Sequence, residues 1–310
     1  MAKIKLKAPG RGPIAQKVIK ALSKPSNQKV IDLQIYRQAR QSAAELAETI
    51  ISEKEMAGLD PLHAVYVYAQ NKLSLMIEQL TDLPPLARLI DAYTDAQDVY
   101  LPSGPPMSPL TQSYFFCWGF FDVCFGLKKE SLTTVAIDVG KALNLDPGLI
   151  ALFDIMQRSR MGIYRHEGIK NGRVCLTEFI TNHSVEAIVP AGYAGQTGEI
   201  WLTRLLPEPF PDQGRGYSVV FLTPYILGEL NGNRYTTGPA AQWEAFFERT
   251  LPKLGIKEPV PAYEKLMKTG LARNYWNEFI IDGFVTSMAE MIMLAGYPDV
   301  RASLPHAIDT

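Results

Sequence analysis

At Gly162 the spacing of apolar residues changes character, and that change constrains the fold more than any other feature of the chain. Before it, apolar residues recur at helical spacing. Ala39, Ala43, Leu46 and Ile50 form one stripe; Val65, Ala69, Leu73, Met76 and Leu80 form the next. Asp60-Pro61 supplies an N-cap and a proline at the first helical position, and Pro84-Pro85 opens a helix bearing Leu86, Leu89, Ile90 and Tyr93. Leu132, Val135, Val139 and Leu143, then Leu149, Leu152, Phe153 and Met156, line two more helices broken at Asp146-Pro147. After Gly162 the period becomes two. Asn171-Gly172 marks a tight turn, Val174–Ile180 alternates apolar and polar residues, and Val185–Val189 mirrors it. Glu199–Leu206 and Tyr217–Thr223 read as further strands, with Gly192, Gly195 and Gly198 between.

These signals predict an α+β fold that is predominantly helical, with a helical N-terminal domain, a small antiparallel β barrel or half-barrel, and C-terminal helices. The boundaries fall at 1–30 (a basic irregular arm with one short helix at 14–22), 31–162, 163–236 and 237–310. Pro239 begins a helix carrying Trp243, Phe246 and Phe247. A short helix follows at Tyr263–Lys268, then a long one over about 273–295 that turns Trp276, Ile280, Met288, Met291 and Leu294 inward. Four prolines make 101–110 a stiff connector. The segment Ser113–Gly126 is apolar on every side, so it reads as a buried helix. Asp122 within it is either part of an apolar ligand pocket or, as we expect, a core acid that is capped or paired.

Composition narrows the class. With 310 residues, 47% hydrophobic and 20% charged, the chain excludes wholesale disorder and a multi-span membrane protein. Cys117, Cys124 and Cys175 form no CxxC pair, which fits a reducing cytoplasmic setting. The start lacks an apolar signal core, and the apolar runs 114–125 and 275–297 are too short or carry Asp122, Glu278, Asp282 and Glu290, so no membrane association is expected.

Charge is distributed unevenly. Residues 1–41 hold ten basic side chains against Asp32 alone, a net +9, so a whole-chain charge of −1 leaves −10 on the remainder. A basic arm on an acidic body points to nucleic acid or an acidic protein partner. The β module offers a second basic and aromatic set in Tyr164, Arg165, Lys170, Arg173, Tyr193, Trp201, Arg204, Arg215 and Tyr217, a mixture suited to stacking bases and neutralising phosphates. Small barrels of the OB and SH3-like kinds bind through loops and one sheet face. The residues expected to contact nucleic acid are therefore Lys3, Lys5, Lys7, Arg11, Lys17, Lys20, Lys24 and Lys29 of the arm, with Arg165, Arg173 and Arg204 of the barrel.

Catalytic signatures are absent: the sequence has no phosphate loop, GxGxxG, HExxH, GxSxG or zinc-type Cys/His spacing. Asp154, His166, Glu167, Glu178 and His183 would need the fold to gather them before they held a metal, and none is expected. Cys175 reads as a core thiol. Glu278 and Asp282 share a helix face and suit either a carboxylate pair or a solvated stripe. Residues 139–153 resemble a DNA-binding helix-turn-helix in outline, but the second helix offers Leu149, Ile150, Ala151, Leu152 and Phe153, where base reading needs Arg, Lys, Asn or Gln. A structural helical corner is expected there. The overall expectation is a non-enzymatic binding or adaptor protein without cofactor; the alternatives are a metal-dependent hydrolase or nuclease using helical carboxylates, and a structural subunit of an assembly.

Overall fold

The computed structural model describes residues 12–23, 58–100, 112–210, 214–231, 234–237, 240–270 and 292–294. In chain order its helices begin with α1 (Pro13–Leu22), α2 (Pro61–Thr81) and α3 (Ala87–Tyr100). Next come α4 (Gln112–Cys117), which runs into a π-helical turn at Trp118–Asp122, then α5 (Leu132–Ala142) and α6 (Pro147–Arg158). The strands β1 (Met161–Lys170), β2 (Arg173–Glu178), β3 (Ser184–Ile188), β4 (Ile200–Leu206), β5 (Ser218–Val220), β6 (Tyr225–Asn231) and β7 (Arg234–Thr237) follow. The series ends with α7 (Ala240–Thr250), α8 (Pro259–Thr269) and β8 (Ile292–Leu294). Two compact units result: 1–95 with 124–157, and 96–123 with 158–310. The segment 96–123, expected among the helices of 31–162, thus groups with the β module. None of the described helices is long and apolar enough to cross a membrane.

In the first unit, capping follows the local sequence. The Asp60 carboxylate accepts from the Leu62 and His63 amides at 2.8 and 3.4 Å, Ser131 and Thr134 cap α5 reciprocally, and Asp146 accepts from Leu149 N at 2.9 Å. The buried face of α2 is Leu62, Tyr66, Ala69, Leu73, Ile77 and Leu80. Val65 and Met76, expected at its centre, are only half-buried because the face is turned toward Tyr66 and Ile77. Leu143 is 52% exposed: it caps α5 beyond the last helical turn and is followed by Asn144 at φ 57. Short helix α1 buries Ala15, Val18 and Ile19 and turns Lys17 and Lys20 to solvent. Its N-terminal amides, Ile14 N and Ala15 N, donate at 2.9–3.1 Å to Glu130, a side chain 116 positions away. A Cβ at Gly12 would overlap the Glu130 carboxylate, so a larger residue there would have to push that side chain off the helix start.

In the second unit the barrel closes in the order β1-β2-β3-β5-β4-β1. Strand β1 serves two neighbours. Its first half pairs with β4, its second half with β2, and the bend between them is a bulge at His166–Gly168. Four contacts in the ring are antiparallel, whereas β3 and β5 run parallel, Ala187 facing Ser218. The expected all-antiparallel barrel is therefore corrected to a mixed one. Strand directions that alternate around a ring can close only with an even number, so five strands force a parallel pair.

The barrel interior holds Tyr164, Val174, Leu176, Ala187, Trp201, Val220 and Ile226. Cys175 is half-buried on the opposite side of β2 from Val174 and Leu176, so it is an outer-face thiol and not a core one. Strand β6 extends the sheet from β4, and its far edge is taken by β7 and β8. Residues 292–294 are thus strand, where the periodicity predicted the end of a long helix. The unpaired amides and carbonyls of β6 are satisfied by that pairing. The rest of that predicted helix lies outside the described residues, as do Glu278 and Asp282. On the other side, α8 anchors β1 through Ile163 N donating to Tyr263 Oη at 2.9 Å, and Tyr263 packs edge-on against Phe247 of α7.

Candidate nucleic-acid interface

The β1–β2 hairpin builds the site. Asn171 and Gly172 adopt φ values of 52° and 74°, the left-handed pair that reverses two strands in two residues, and this sets Lys170 opposite Arg173. One strand over, Glu186 of β3 is opposite Cys175, two positions along the same outer face from Arg173. Glu186 reaches both cations, Oε1 at 3.4 Å from Lys170 Nζ and Oε2 at 3.7 Å from Arg173 Nη1. The loop before β5 completes the arrangement. Arg173 Cζ stands 4.0 Å above the centroid of the Tyr217 ring, and Tyr217 is buried beneath it. The same loop is tied by Glu208, whose carboxylate accepts from Arg215 N at 3.0 Å and Gly216 N at 2.9 Å; Phe210 remains 36% exposed. One half-exposed guanidinium, one lysine and one carboxylate meet at a single end of the barrel, with a net charge of +1.

The other expected contacts are distributed differently. Arg165 lies on the same outer side but is spread over Glu167 at 4.0 Å, Glu244 at 3.7 Å and the Phe179 ring at 5.1 Å. Arg204 is 1% exposed and leaves the interface altogether. Its Nη2 is paired with Asp122 Oδ2, and its Nη1 donates to Ser159 O at 2.8 Å and Ser159 Oγ at 2.9 Å. The physical reason is what covers the side chain: the buried Asp122 carboxylate and Ser159 take its guanidinium, and Lys268 of α8 closes over the same acid. Lys17 and Lys20 are on the exposed side of α1, while Lys3, Lys5, Lys7, Arg11, Lys24 and Lys29 lie outside the described residues. The sequence reading also missed Glu186. Alternation along β3 signals its outward direction, but its nearness to Lys170 and Arg173 depends on register.

Asp122 is fully buried and takes a second cation, Lys268 Nζ, at 2.7 Å from Oδ1; that ammonium also donates to Ser159 O at 2.7 Å. The expectation of a paired core acid therefore holds. Burial pushes the neighbouring Cys117 thiol up to about 12. Burial pulls hardest on the Arg204 guanidinium and pulls it down, but the charge and hydrogen bond of Asp122, with Cys117 and Tyr114 beside it, together outweigh burial and the net direction is up.

The other buried acids are engaged as well. Glu178 accepts from Arg160 at 2.6 and 3.2 Å and from Thr181 at 2.6 Å, and Glu199 accepts from Tyr193 Oη at 2.6 Å and Trp201 Nε1 at 2.8 Å. His166 is internal too, its Nδ1 accepting from Gly168 N at 3.1 Å and its Nε2 donating to Ala194 O at 2.9 Å. Among the described residues no three His, Cys, Asp or Glu side chains gather in a way that would hold a metal. No protein-family model, curated protein or solved structure matches the chain.

Proposed function

We propose that this chain is a non-enzymatic binding protein that takes single-stranded nucleic acid on the outer face of its barrel, around the β1–β2 turn, β3 and the loop before β5. The strand order 1-2-3-5-4-1 with one parallel pair is the connectivity of OB-type barrels, whose ligands bind over strands 2 and 3 and the loops joining strands 1–2 and 4–5. Fold alone does not assign function. The observation that carries the reading is local: Arg173, at the end of the first of those loops, holds its Cζ 4.0 Å over the ring of Tyr217 from the second, with Lys170 opposite it. A guanidinium backed by a ring presents its free face to an unpaired base, and the adjacent ammonium meets a phosphate. Duplex DNA has no free base face to offer. The lysines of the N-terminal arm would add sequence-independent phosphate contacts.

The buried acids Asp122, Glu130, Glu178 and Glu199 each have their oxygens engaged by neighbouring groups, which fits a structural part for all four.

The test is fluorescence anisotropy of labelled single strands and duplexes with the full chain at low and moderate salt. The expected outcome is single-strand binding that weakens with salt, with Arg173→Ala and Arg173→Lys each losing about 1–3 kcal/mol if the stack contributes as base–aromatic contacts do. Lysine keeps the charge and loses the plane, so an unaffected Arg173→Lys variant would reject the stacking platform. No single-strand binding at low salt would reject the function.

A further inference from the structure

We infer that Glu186 is a resident anion in the phosphate position of this face, so that a strand binds by displacing it. The inference rests on the reading that the face takes single-stranded nucleic acid, and it concerns what limits affinity there. Two carboxylate oxygens are divided between two cations, Oε1 toward Lys170 and Oε2 toward Arg173, as two phosphate oxygens would be.

The contact is loose. Its separations of 3.4 and 3.7 Å exceed those of a tight charge-assisted bond, such as Arg160 to Glu178 at 2.6 Å in the same unit. The Glu186 side chain is 31% exposed and that of Lys170 is 67% exposed, so water is at hand to solvate both once they part. Arg173 has a second contact in the Tyr217 ring, 4.0 Å from its Cζ, which does not depend on the carboxylate. Glu186 therefore competes with the ligand's phosphate without being needed to build the platform. It keeps the face at +1, which disfavours weak polyanions and leaves an incoming strand to recover the difference through its base.

Anisotropy titrations of the full chain with a labelled oligothymidylate test this, using wild type, Glu186→Gln, Glu186→Ala and, as a charge control on α7, Glu248→Gln. Thermal melts of each variant accompany the titrations. Glu186→Gln and Glu186→Ala are expected to bind about two- to fivefold more tightly at low salt, the range of an exposed ion pair. Their salt slope should steepen by about 0.7, because no displaced carboxylate is left to take up a counterion when the phosphate binds. Glu248→Gln should match wild type. Wild-type binding with unchanged affinity in both Glu186 variants would overturn the displacement model alone. An equal gain in Glu248→Gln would overturn it too, by showing a general charge effect. Absence of wild-type binding would remove the parent reading and this one with it.

Discussion

Arg204 and Arg173 lie in the same barrel, and the sequence assigns both to a nucleic-acid surface, yet the two arginines have opposite surroundings. Arg204 is fully buried, paired to Asp122 in a cluster that also holds Lys268 and the backbone of Ser159. Arg173 is partly exposed, stacked on Tyr217 and loosely opposed by Glu186. Residue chemistry is the same in both places, so what separates them is solvent. In the interior a lost partner leaves a charge that water does not reach; at the surface water replaces the partner at little cost. The buried cluster ties the 118–122 turn, β4, α8 and the segment just before β1 together. The exposed cluster is in reach of water, Lys170 most of all.

The contrast is sharpest when Asp122 is removed. Asp122→Ala leaves two cations without their shared carboxylate and is expected to cost about 3–5 kcal/mol by chemical denaturation. A cost below about 1 kcal/mol would mean that the interior cluster is as solvated as the surface one.

Alkaline pH probes the same interior without a substitution. Burial pushes the Cys117 thiol up to about 12 and raises the Tyr114, Tyr164 and Tyr263 phenols. The unfolded chain releases these protons first, near pH 8.5–10, so the folded state holds more protons and stability falls as pH rises. Each group then contributes a loss of about 1.4 kcal/mol per pH unit until its folded-state value is reached. Melting temperatures from pH 7 to 11 should be level at first and drop above about pH 9; a level profile to pH 11 would place these groups in contact with water.

The smallest effect belongs to the surface. A double-mutant cycle on Arg173 and Glu186, read by denaturation, should give a coupling of about 0.2–1 kcal/mol. A value near that of the Asp122 cluster would show a structural lock, and binding by displacement would fail with it.

Much of the local architecture was legible along the chain. Asp60-Pro61 starts α2 and Asp146 caps α6, because capping uses groups within three residues of the helix start. The Asn171-Gly172 reversal was legible for the same reason. Burial direction was less legible: Trp201, grouped with the stacking set, is buried inside the barrel, and Val174 and Leu176, not Cys175, define the inner side of β2. The errors share a different origin. Cys175 was placed on the wrong side of its strand because an apolar side chain says little about which face of a short barrel strand it occupies. Arg204 was placed on the surface because cations usually are, and its burial depends on Asp122, 82 positions earlier.

The one-dimensional pattern by itself determined that helices precede a β module, where capped helices such as α2 and α6 begin, and that positive charge gathers at the N-terminal end. These follow from interactions among near neighbours, whose energies do not wait for the fold. Only the tertiary structure decided that the barrel closes through a parallel pair, that one arginine is locked while another is offered to solvent, and that Glu186 meets Lys170 and Arg173. Each of those depends on strand register and on the exclusion of water between segments far apart in the chain, and neither exists until the chain has folded.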